Sequence, residues 1–373
     1  MNMQGESPRK GAARVEMCVG KVAGAGEAHE RTGMKKKWPK IARWGVSLLF
    51  LVFLFGTIQK GEFLHLFEDM RPQFVLASFG ISALMILTSC AKWQLLLDLQ
   101  GIHLSFAYLL KIYLIGYYFS NLLPSAVGGD VVRSYYTGAK AGCQTRAAVA
   151  VFLERFTGIL FLLILAAAAP LFEFRLYRHP AVLLPALISI GILLALAGLW
   201  WFGMSRILAF LGRFKEFSRL GWIGRSPLCQ RLTKVVVGFH RRLSLASQAL
   251  RTDRKRFAVV FLLTALFYGL TWLNVYSAFL VFGDPPGFTS MCAVIPAIML
   301  VFLLPISAGN IGLAEGAYVY YFRMLGIHPE ISLAMSLFIR FKLIVIGVVG
   351  FLLYMRGEGM GCPATEGLTV AAK

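Results

Sequence analysis

Two short stretches of the sequence, each in apolar surroundings, contain charged side chains next to Pro and Gly residues that should interrupt a helix. We call these two interruptions the breaks. The first extends from Asn121 to Arg133 and reads Asn-Leu-Leu-Pro-Ser-Ala-Val-Gly-Gly-Asp-Val-Val-Arg. The second extends from Leu303 to Glu315 and reads Leu-Leu-Pro-Ile-Ser-Ala-Gly-Asn-Ile-Gly-Leu-Ala-Glu. Paired segments interrupted by Pro and Gly in the two halves of a membrane chain are typical of a transporter's binding site.

The breaks predict anion binding. Irregular backbone at membrane depth is tolerated only where it is buried in protein or lines a wet cavity. A helix that restarts after such a break presents free N–H groups and a partial positive charge, which suit a lipid phosphate. We expect Ser125 or Asp130 to cap the first restarted helix and Asn310 to cap the second. The alternative is a Pro/Gly kink that serves only packing.

Charged residues lie in the breaks and in the apolar runs that follow them. Glu154 and Arg155 lie about eight residues into their run, which is roughly 12 Å at helical rise, and Arg340 lies about as deep in its own run. Charges inside a membrane are costly and usually functional. They form structural ion pairs, contact substrate, or do both. The predicted pairs are Asp130 with Arg133 and Glu315 with Arg340.

The predicted substrate-binding set draws on both breaks and on the helices after them. Its arginines suit phosphate because the planar guanidinium binds two oxygens at once. The set comprises Asn121, Ser125, Gly128, Gly129, Asp130, Arg133, Glu154, Arg155, Ser307, Gly309, Asn310, Gly312, Glu315 and Arg340.

Other conspicuous residues predict structural roles. The spacing of Gly312 and Gly316 is typical of close helix packing. Lys92 and His103 near the inner membrane interface are interpreted as topological, and Trp and Tyr at the ends of apolar runs as interfacial anchors. The six cysteines have no metal-ligand spacing, and the GxSxG, HExxH and Walker A motifs and a GxGxxG that opens a helix are missing. We predict neither a cofactor nor a metal, and no enzymatic activity.

The composition indicates how these residues are positioned. The chain has 373 residues, of which 58% are hydrophobic and only 15% charged, and several apolar runs reach the length that spans a bilayer. The runs cover residues 41–59, 74–97, 106–122, 147–169, 181–203, 257–282, 291–306, 313–325 and 332–355. We predict an all-α polytopic membrane protein with about six full spans and two re-entrant hairpins, 106–139 and 291–325, arranged as inverted repeats. If each hairpin were instead two full spans, every loop would still be predicted on the same side of the membrane.

Basic residues set the predicted orientation. Residues 1–43 hold ten Lys/Arg against four acids, and residues 204–256 hold thirteen against two. Cytoplasmic loops collect Lys and Arg, so both termini and segment 204–256 are predicted to be cytoplasmic, in a plasma or inner membrane. Segment 204–256 is interpreted as amphipathic helices on the membrane surface, with a solvated linker as the alternative. No nucleic-acid-binding module accompanies the charge.

The predicted domain division has three parts. Residues 1–40 form a disordered basic segment, residues 41–355 form the transmembrane domain, and residues 356–373 form a cytoplasmic tail. Met34 begins a stretch, Met-Lys-Lys-Lys-Trp-Pro, that resembles a natural start of a membrane protein. We therefore hypothesise that translation begins at Met34.

The two breaks, together with Glu154-Arg155 followed by Gly158, resemble the lysylphosphatidylglycerol synthase transmembrane-region family, also called flippase-like domain proteins. The resemblance covers about residues 40–355. Bifunctional members carry an additional cytosolic domain that aminoacylates phosphatidylglycerol, and their membrane domain is thought to move the product between leaflets. This chain leaves no room for that domain, so the resemblance implies lipid translocation and argues against synthase activity.

The resulting prediction is a flippase-like protein that moves an anionic, aminoacylated or isoprenoid-linked lipid between leaflets. Membrane lipids are its expected partners, together with a separately encoded lipid-modifying enzyme. The alternative is a membrane enzyme or accessory subunit acting on lipid-linked substrates, with Asp130, Glu154 or Glu315 as acid or base.

Overall fold

The chain is all-helical where its structure is described. A computed structural model describes residues 70–122, 128–173, 179–217, 254–283, 285–304 and 306–356. These ranges contain nine α-helices and no strand: α1 (Pro72–Leu99), α2 (Phe106–Leu122), α3 (Gly128–Ala141), α4 (Gln144–Ala168), α5 (Pro180–Phe217), α6 (Arg254–Phe282), α7 (Phe288–Phe302), α8 (Leu313–Arg323) and α9 (Pro329–Met355). Helices α1, α4, α5, α6 and α9 are long and apolar enough to cross a membrane. The predicted polytopic helical fold is confirmed.

Proline and glycine set several helix boundaries. Pro72 and Pro329 stand in the first turns of α1 and α9, where the missing N–H costs nothing and the fixed φ favours the helix. Gly101, Gly142 and Gly326 follow α1, α3 and α8 with φ between 66° and 81°. Side chains disfavour this left-handed conformation, so these glycines allow the chain to leave each helix sharply.

Both predicted hairpins are present as pairs of short helices. Hairpin one consists of α2 and α3, with 17 and 14 residues; hairpin two consists of α7 and α8, with 15 and 11 residues. At 1.5 Å per residue, these arms measure about 16–26 Å. The hydrocarbon core of a bilayer is about 30 Å thick. The lengths therefore agree with hairpins that enter and leave on one side.

Two hydrophobic cores lie at opposite ends of the long helices. The first core joins α2 to the C-terminal half of α1, the N-terminal part of α4 and Val260 of α6. The second core joins α7 and α8 to the C-terminal part of α6, the N-terminal half of α9 and Ala169 after α4, with the start of α1 packed against it. Helices α1 and α9 therefore run in one direction, while α4 and α6 run in the other.

This arrangement is an inverted repeat. Each half contributes a long helix, a hairpin and another long helix: α1, α2–α3 and α4 in one half, and α6, α7–α8 and α9 in the other. Corresponding helices point in opposite directions, and each hairpin packs into its own core. Inverted repeats of this kind place their irregular segments near the bilayer midplane.

A polar seam between α1 and α6 joins the two halves. The Ser82 hydroxyl donates a hydrogen bond to Asn274 Oδ1 (3.2 Å), and the Ser277 and Ser78 hydroxyl oxygens are 3.1 Å apart. The backbone N–H of Arg71 donates to the carbonyl of a residue near the end of α6. As the residue numbers of the bonded positions increase along α1, those of their partners on α6 decrease, so α1 and α6 are antiparallel.

Several sequence predictions lie outside the described residues. These are the run 41–59, the segments 1–40 and 357–373, and most of segment 204–256. Helix α5 covers the apolar run 181–203 and continues into segment 204–256 as far as Phe217. Helix-favouring Leu, Ala, Lys and Arg carry it past the apolar run. Membrane sidedness remains a prediction.

Candidate functional site

An ion-pair cluster joins hairpin one to α4. Asp130 Oδ1 accepts a hydrogen bond from Arg133 Nη2 (2.7 Å), and Arg133 Nη1 donates to Glu154 Oε2 (2.9 Å). Arg155 binds the same Asp130 with two nitrogens, Nε (2.7 Å) and Nη2 (2.9 Å). The predicted Asp130–Arg133 pair is confirmed, and the structure adds Glu154 and Arg155 to it.

Aromatic rings and a lysine enclose this cluster. The Arg133 guanidinium lies 4.4 Å from the ring centroid of Tyr113 and 4.9 Å from that of Trp93. The Tyr113 hydroxyl donates to Glu154 Oε1 (3.3 Å), and Lys92 Nζ donates to the Glu154 carbonyl oxygen (3.2 Å). Buried cation–π contacts contribute as much as about 2 kcal/mol each.

Two of these contacts correct sequence interpretations. Lys92 and Trp93 are 6% and 0% exposed, so neither is an interfacial residue. Both lie near the end of an apolar run, which suggested the interface. However, the α1 face that carries them packs on α2 and α4 in the first core. His103 does lie at the surface, where Nδ1 is 2.9 Å from Asp98 Oδ1.

The two arginines of this cluster differ in accessibility. The Arg133 side chain is 4% exposed, whereas that of Arg155 is 58% exposed. Arg155 Nη1 makes no hydrogen bond to any described residue. A guanidinium has five N–H donors, so Arg155 retains donors that the described residues do not use.

Small residues allow the two arms of hairpin one to approach closely. A Cβ on Gly129 would lie 2.3 Å from both the Gly116 carbonyl oxygen and Ser120 Oγ, so only glycine fits there. Gly128 is also buried at the start of α3. These glycines pack α3 on α2, while Ser125 lies outside the described residues. Asp130 is in the first turn of α3, but its carboxylate is occupied by the two arginines.

A second ion pair joins hairpin two to α9. Glu315, at 1% exposure, accepts a hydrogen bond from Arg340 Nε. Its other carboxylate oxygen accepts the backbone N–H of Gly312 (2.7 Å). The predicted Glu315–Arg340 pair is confirmed.

Arg340 also donates hydrogen bonds to carbonyl groups in the irregular backbone of hairpin two. It donates to the carbonyl oxygens of Gly309 (3.4 Å) and Asn310 (3.1 Å). Asn310 Nδ2 donates to the Phe302 carbonyl (2.9 Å) at the end of α7. Carbonyl groups of a broken helix must find donors at membrane depth, and these side chains supply them.

Two expectations for hairpin two are wrong. Asn310 does not cap α8; Glu315 caps it by accepting the Gly312 N–H. Gly312 does not pack within a helix, because it precedes α8 with φ 80°. Asn310 and Gly309 also have φ 57°, so three left-handed residues form the break. Ser307 is buried, and its hydroxyl has no hydrogen-bond partner among the described residues.

The tip of hairpin one reaches the helix that carries Arg340. Asn121 Nδ2 donates to the Leu343 carbonyl oxygen (2.8 Å), one helical turn beyond Arg340. Further along the same pair of helices, a Cβ on Gly350 would lie 2.1 Å from the Leu114 carbonyl oxygen. Helices α2 and α9 are therefore in backbone contact, and residues of the first break lie close to the second cluster.

The two clusters occupy equivalent depths. Arg155 is eleven residues after the start of α4, and Arg340 is eleven residues after the start of α9. Each therefore lies about 16 Å into its helix, and the two helices enter from opposite ends. Both arginines therefore lie near the middle of helices that are long and apolar enough to cross a membrane. Within the described ranges, no three His, Cys, Asp or Glu side chains are grouped to hold a metal ion.

Comparisons with known proteins identify relatives over most of this region. The family model described as the lysylphosphatidylglycerol synthase TM region matches residues 40–350. Two UPF0104 membrane proteins of Methanothermobacter thermautotrophicus are similar: one is 24% identical over 312 residues (78% of this chain and 85% of the relative), and the other is 22% identical over 303 residues (78% and 86%). A UPF0104 membrane protein of Methanocaldococcus jannaschii is 24% identical over 92 residues, covering 24% of this chain and 27% of the relative.

Proposed function

The chain belongs to the lysylphosphatidylglycerol synthase transmembrane-region family, and we propose that it moves a phospholipid headgroup between the two leaflets of a membrane. The substrate class is an anionic or aminoacylated phospholipid, or an isoprenoid-linked lipid phosphate. The acyl chains stay in lipid while the headgroup crosses the protein at the level of the two clusters.

One observation carries this proposal: Arg155 exposes a guanidinium edge near mid-membrane. Its 58% exposure contrasts with the burial of Arg133, although both bind Asp130. An exposed ionised group at this depth is expensive unless a polar partner or water reaches it. A phosphate diester matches it in charge and in the bidentate geometry that arginine favours.

The remaining cluster residues orient this arginine and keep the breaks intact. Asp130 holds Arg155 by two hydrogen bonds, so the free edge of the guanidinium has a fixed direction. Arg340 and Glu315 hold the backbone of hairpin two. In this scheme, hairpin one presents the site that binds the headgroup. Hairpin two, its counterpart in the inverted repeat, receives the headgroup from the other leaflet.

The carboxylates give less support to an enzyme. Asp130, Glu154 and Glu315 each accept a hydrogen bond from an arginine. Each of these carboxylates is therefore already held in an ion pair, which it would have to leave before it could take a proton from a substrate. An accessory role beside a separate lipid-modifying enzyme is the other alternative, and it is distinguished by the experiment below.

The test is lipid exchange in proteoliposomes that contain fluorescent phosphatidylglycerol, with aminoacylated phosphatidylglycerol as a second probe. Dithionite added outside destroys only the label in the outer leaflet, so a flippase makes the inner label accessible. We expect rapid loss of inner label with the wild-type protein and slow loss with Arg155→Ala. Arg323→Ala is the matched control, because Arg323 is exposed at the end of α8, away from both clusters.

The outcomes separate the candidate functions. Equal, fast exchange by wild type and well-folded Arg155→Ala would remove Arg155 from the site. Slow exchange in every sample, with each lipid tried, would refute translocation. Loss of a partner enzyme's activity in the Arg155 variant, without any exchange by the wild type, would support the accessory role instead.

A further inference from the structure

A fully buried lysine lies apart from both arginine clusters. Lys342 on α9 is 1% exposed, and its Nζ donates hydrogen bonds to Ser78 Oγ (2.5 Å), the Ser78 carbonyl oxygen (3.5 Å) and Asn274 Oδ1 (2.5 Å). The ring centroid of Phe338 lies 5.1 Å from Nζ. All three acceptors are uncharged oxygens. Burying an ammonium group without a counter-ion is costly, and an ionisable residue inside a membrane is usually functional.

The oxygens around Lys342 are fixed by the seam between α1 and α6. Asn274 Oδ1 also accepts a hydrogen bond from Ser82 Oγ (3.2 Å), and Ser277 Oγ lies 3.1 Å from Ser78 Oγ. Ser78, Ser82, Asn274 and Ser277 are all buried. The cage is therefore preorganised by one helix from each half, and Lys342 attaches a third helix to it.

Carboxylates on the helices that form the cage are far away. On α1, the only acid is Asp98, twenty residues from Ser78 and so about 30 Å along the helix. Helix α6 carries no acid. On α9, Glu330 is twelve residues from Lys342, about 18 Å. Among described residues, no acid forms an ion pair with Lys342.

The helices that flank α9 supply no counter-ion either. Helix α2 has no acid, and the one acid of α8, Glu315, is bound to Arg340 and Gly312. Arg340 itself is two residues from Lys342 and adds a second positive charge. The remaining basic groups within these helices are Lys92, Lys111, Arg254, Lys255, Arg256 and Arg323, and those directly flanking α1 and α9 are Arg71, His328 and Arg356. The phenols within these helices are Tyr108, Tyr113, Tyr117, Tyr118, Tyr268, Tyr276, Tyr318, Tyr320, Tyr321 and Tyr354.

We propose that Lys342 releases and takes up one proton in each transport cycle, so that lipid movement is coupled to proton movement. The proposal rests on the translocation function proposed above and adds its energy source. The proton leaves Nζ for water, and the nitrogen keeps the electron pair. A charged ammonium has three N–H donors for the three oxygens of the cage, whereas a neutral amine has two donors and a lone pair.

The location of the cage gives protonation a mechanical effect. With the proton bound, Lys342 ties α9 to α1 of one half and α6 of the other. Without it, one hydrogen bond is lost and the lone pair faces oxygen acceptors, so the contact between the three helices loosens. The proton thus acts where α9 contacts one helix from each half, and its release frees α9 to shift relative to α1 and α6.

The test measures the leaflet distribution of fluorescent phosphatidylglycerol in proteoliposomes of phosphatidylcholine and phosphatidylglycerol. Dithionite reports the outer fraction at steady state, with the internal and external pH equal or one unit apart. With one proton per lipid, we expect the inner-to-outer ratio to change by up to about tenfold per pH unit. Lys342→Gln should still exchange lipid at equal pH but show no shift. Lys140→Gln, which removes an exposed lysine of α3, should behave as the wild type.

Each outcome bears on the proposal. Wild-type exchange at equal pH without a shift in the gradient would overturn coupling and leave translocation standing. Absence of exchange at any pH would overturn both. A shift that persists in Lys342→Gln would overturn the role of this lysine.

A second variant covers the case in which Lys342→Gln does not fold. Asn274→Asp places a carboxylate beside the ammonium and holds the proton there, so it should also abolish the shift; a full shift would overturn the proposal. Should both variants misfold, the wild-type response alone decides, because its absence overturns coupling and its presence supports it.

Discussion

The buried ion pair of hairpin two allows a quantitative prediction. Glu315 is 1% exposed and Arg340 is 25% exposed. The charge left behind is therefore more deeply buried when Arg340 is removed than when Glu315 is removed. Breaking a buried ion pair typically costs about 3–5 kcal/mol, because it leaves an uncompensated charge. In Glu315→Gln, Arg340 keeps the carbonyls of Gly309 and Asn310 and is partly exposed, so we expect a loss near the lower end, about 3 kcal/mol. In Arg340→Met, Glu315 keeps only the Gly312 N–H, so we expect about 5 kcal/mol.

The double variant tests the reasoning most directly. With both Glu315→Gln and Arg340→Met, no buried charge is left unpaired, so the loss should be well below the sum of the single losses. The assay is equilibrium unfolding in mixed micelles with increasing SDS, followed by tryptophan fluorescence. Single losses of about 1 kcal/mol or less, as for an exposed pair, would refute the assigned burial. A larger loss for Glu315→Gln than for Arg340→Met would refute the assigned asymmetry.

Three further predictions concern hairpin one and its contacts. Gly350→Ala should cost about 1–3 kcal/mol by overpacking, because its Cβ would lie 2.1 Å from the Leu114 carbonyl oxygen. Gly191→Ala is the control: its Cβ would have no atom within 4 Å, so in the same SDS titration it should cause no loss and stabilise the helix by up to about 1 kcal/mol. Asn121→Ala removes a hydrogen bond worth about 1 kcal/mol. It should slow lipid exchange in the dithionite assay and lower the free energy of unfolding by no more than this amount. A decrease of several kcal/mol would show that the contact is not merely local. Arg155→Lys keeps the charge but loses the hydrogen bonds from two nitrogens to Asp130, so lipid exchange should fall close to the level of Arg155→Ala. Exchange by Arg155→Lys at the wild-type rate would refute a role for guanidinium geometry.

The sequence predicts the local part of the site well. The spacing of Asp130 and Arg133 is that of neighbours on a helix face, and the repeated motif relates Glu315 to Arg340. Both pairs form. The apolar runs likewise predict the helices, because spanning a bilayer imposes a length and a composition that short windows reveal.

Contacts between distant segments are less accessible to such reasoning. Lys92 lies 62 positions before Glu154, and nothing in its local sequence separates a buried lysine from an interfacial one. Asn310 resembles a helix cap, but Glu315, three residues beyond Gly312, competes for the same N–H. A glutamate three residues after the N-cap supplies one half of a capping box, so this contact follows from the sequence only once Gly312 is recognised as the N-cap. The partners of Lys342 could not, because two of them belong to different helices.

The contact between α2 and α9 restricts how the protein can change shape. Helix α2 belongs to one repeat and α9 to the other, yet Asn121, Leu114 and Gly350 bring their backbones together. The repeats are therefore interleaved and do not form two separate blocks. A rocking motion of one whole repeat against the other would break this contact, so the rigid bodies of the transport cycle differ from the sequence repeats. A moving unit that includes hairpin one carries α9 with it, and a displacement at the first cluster reaches Arg340 without an intervening loop.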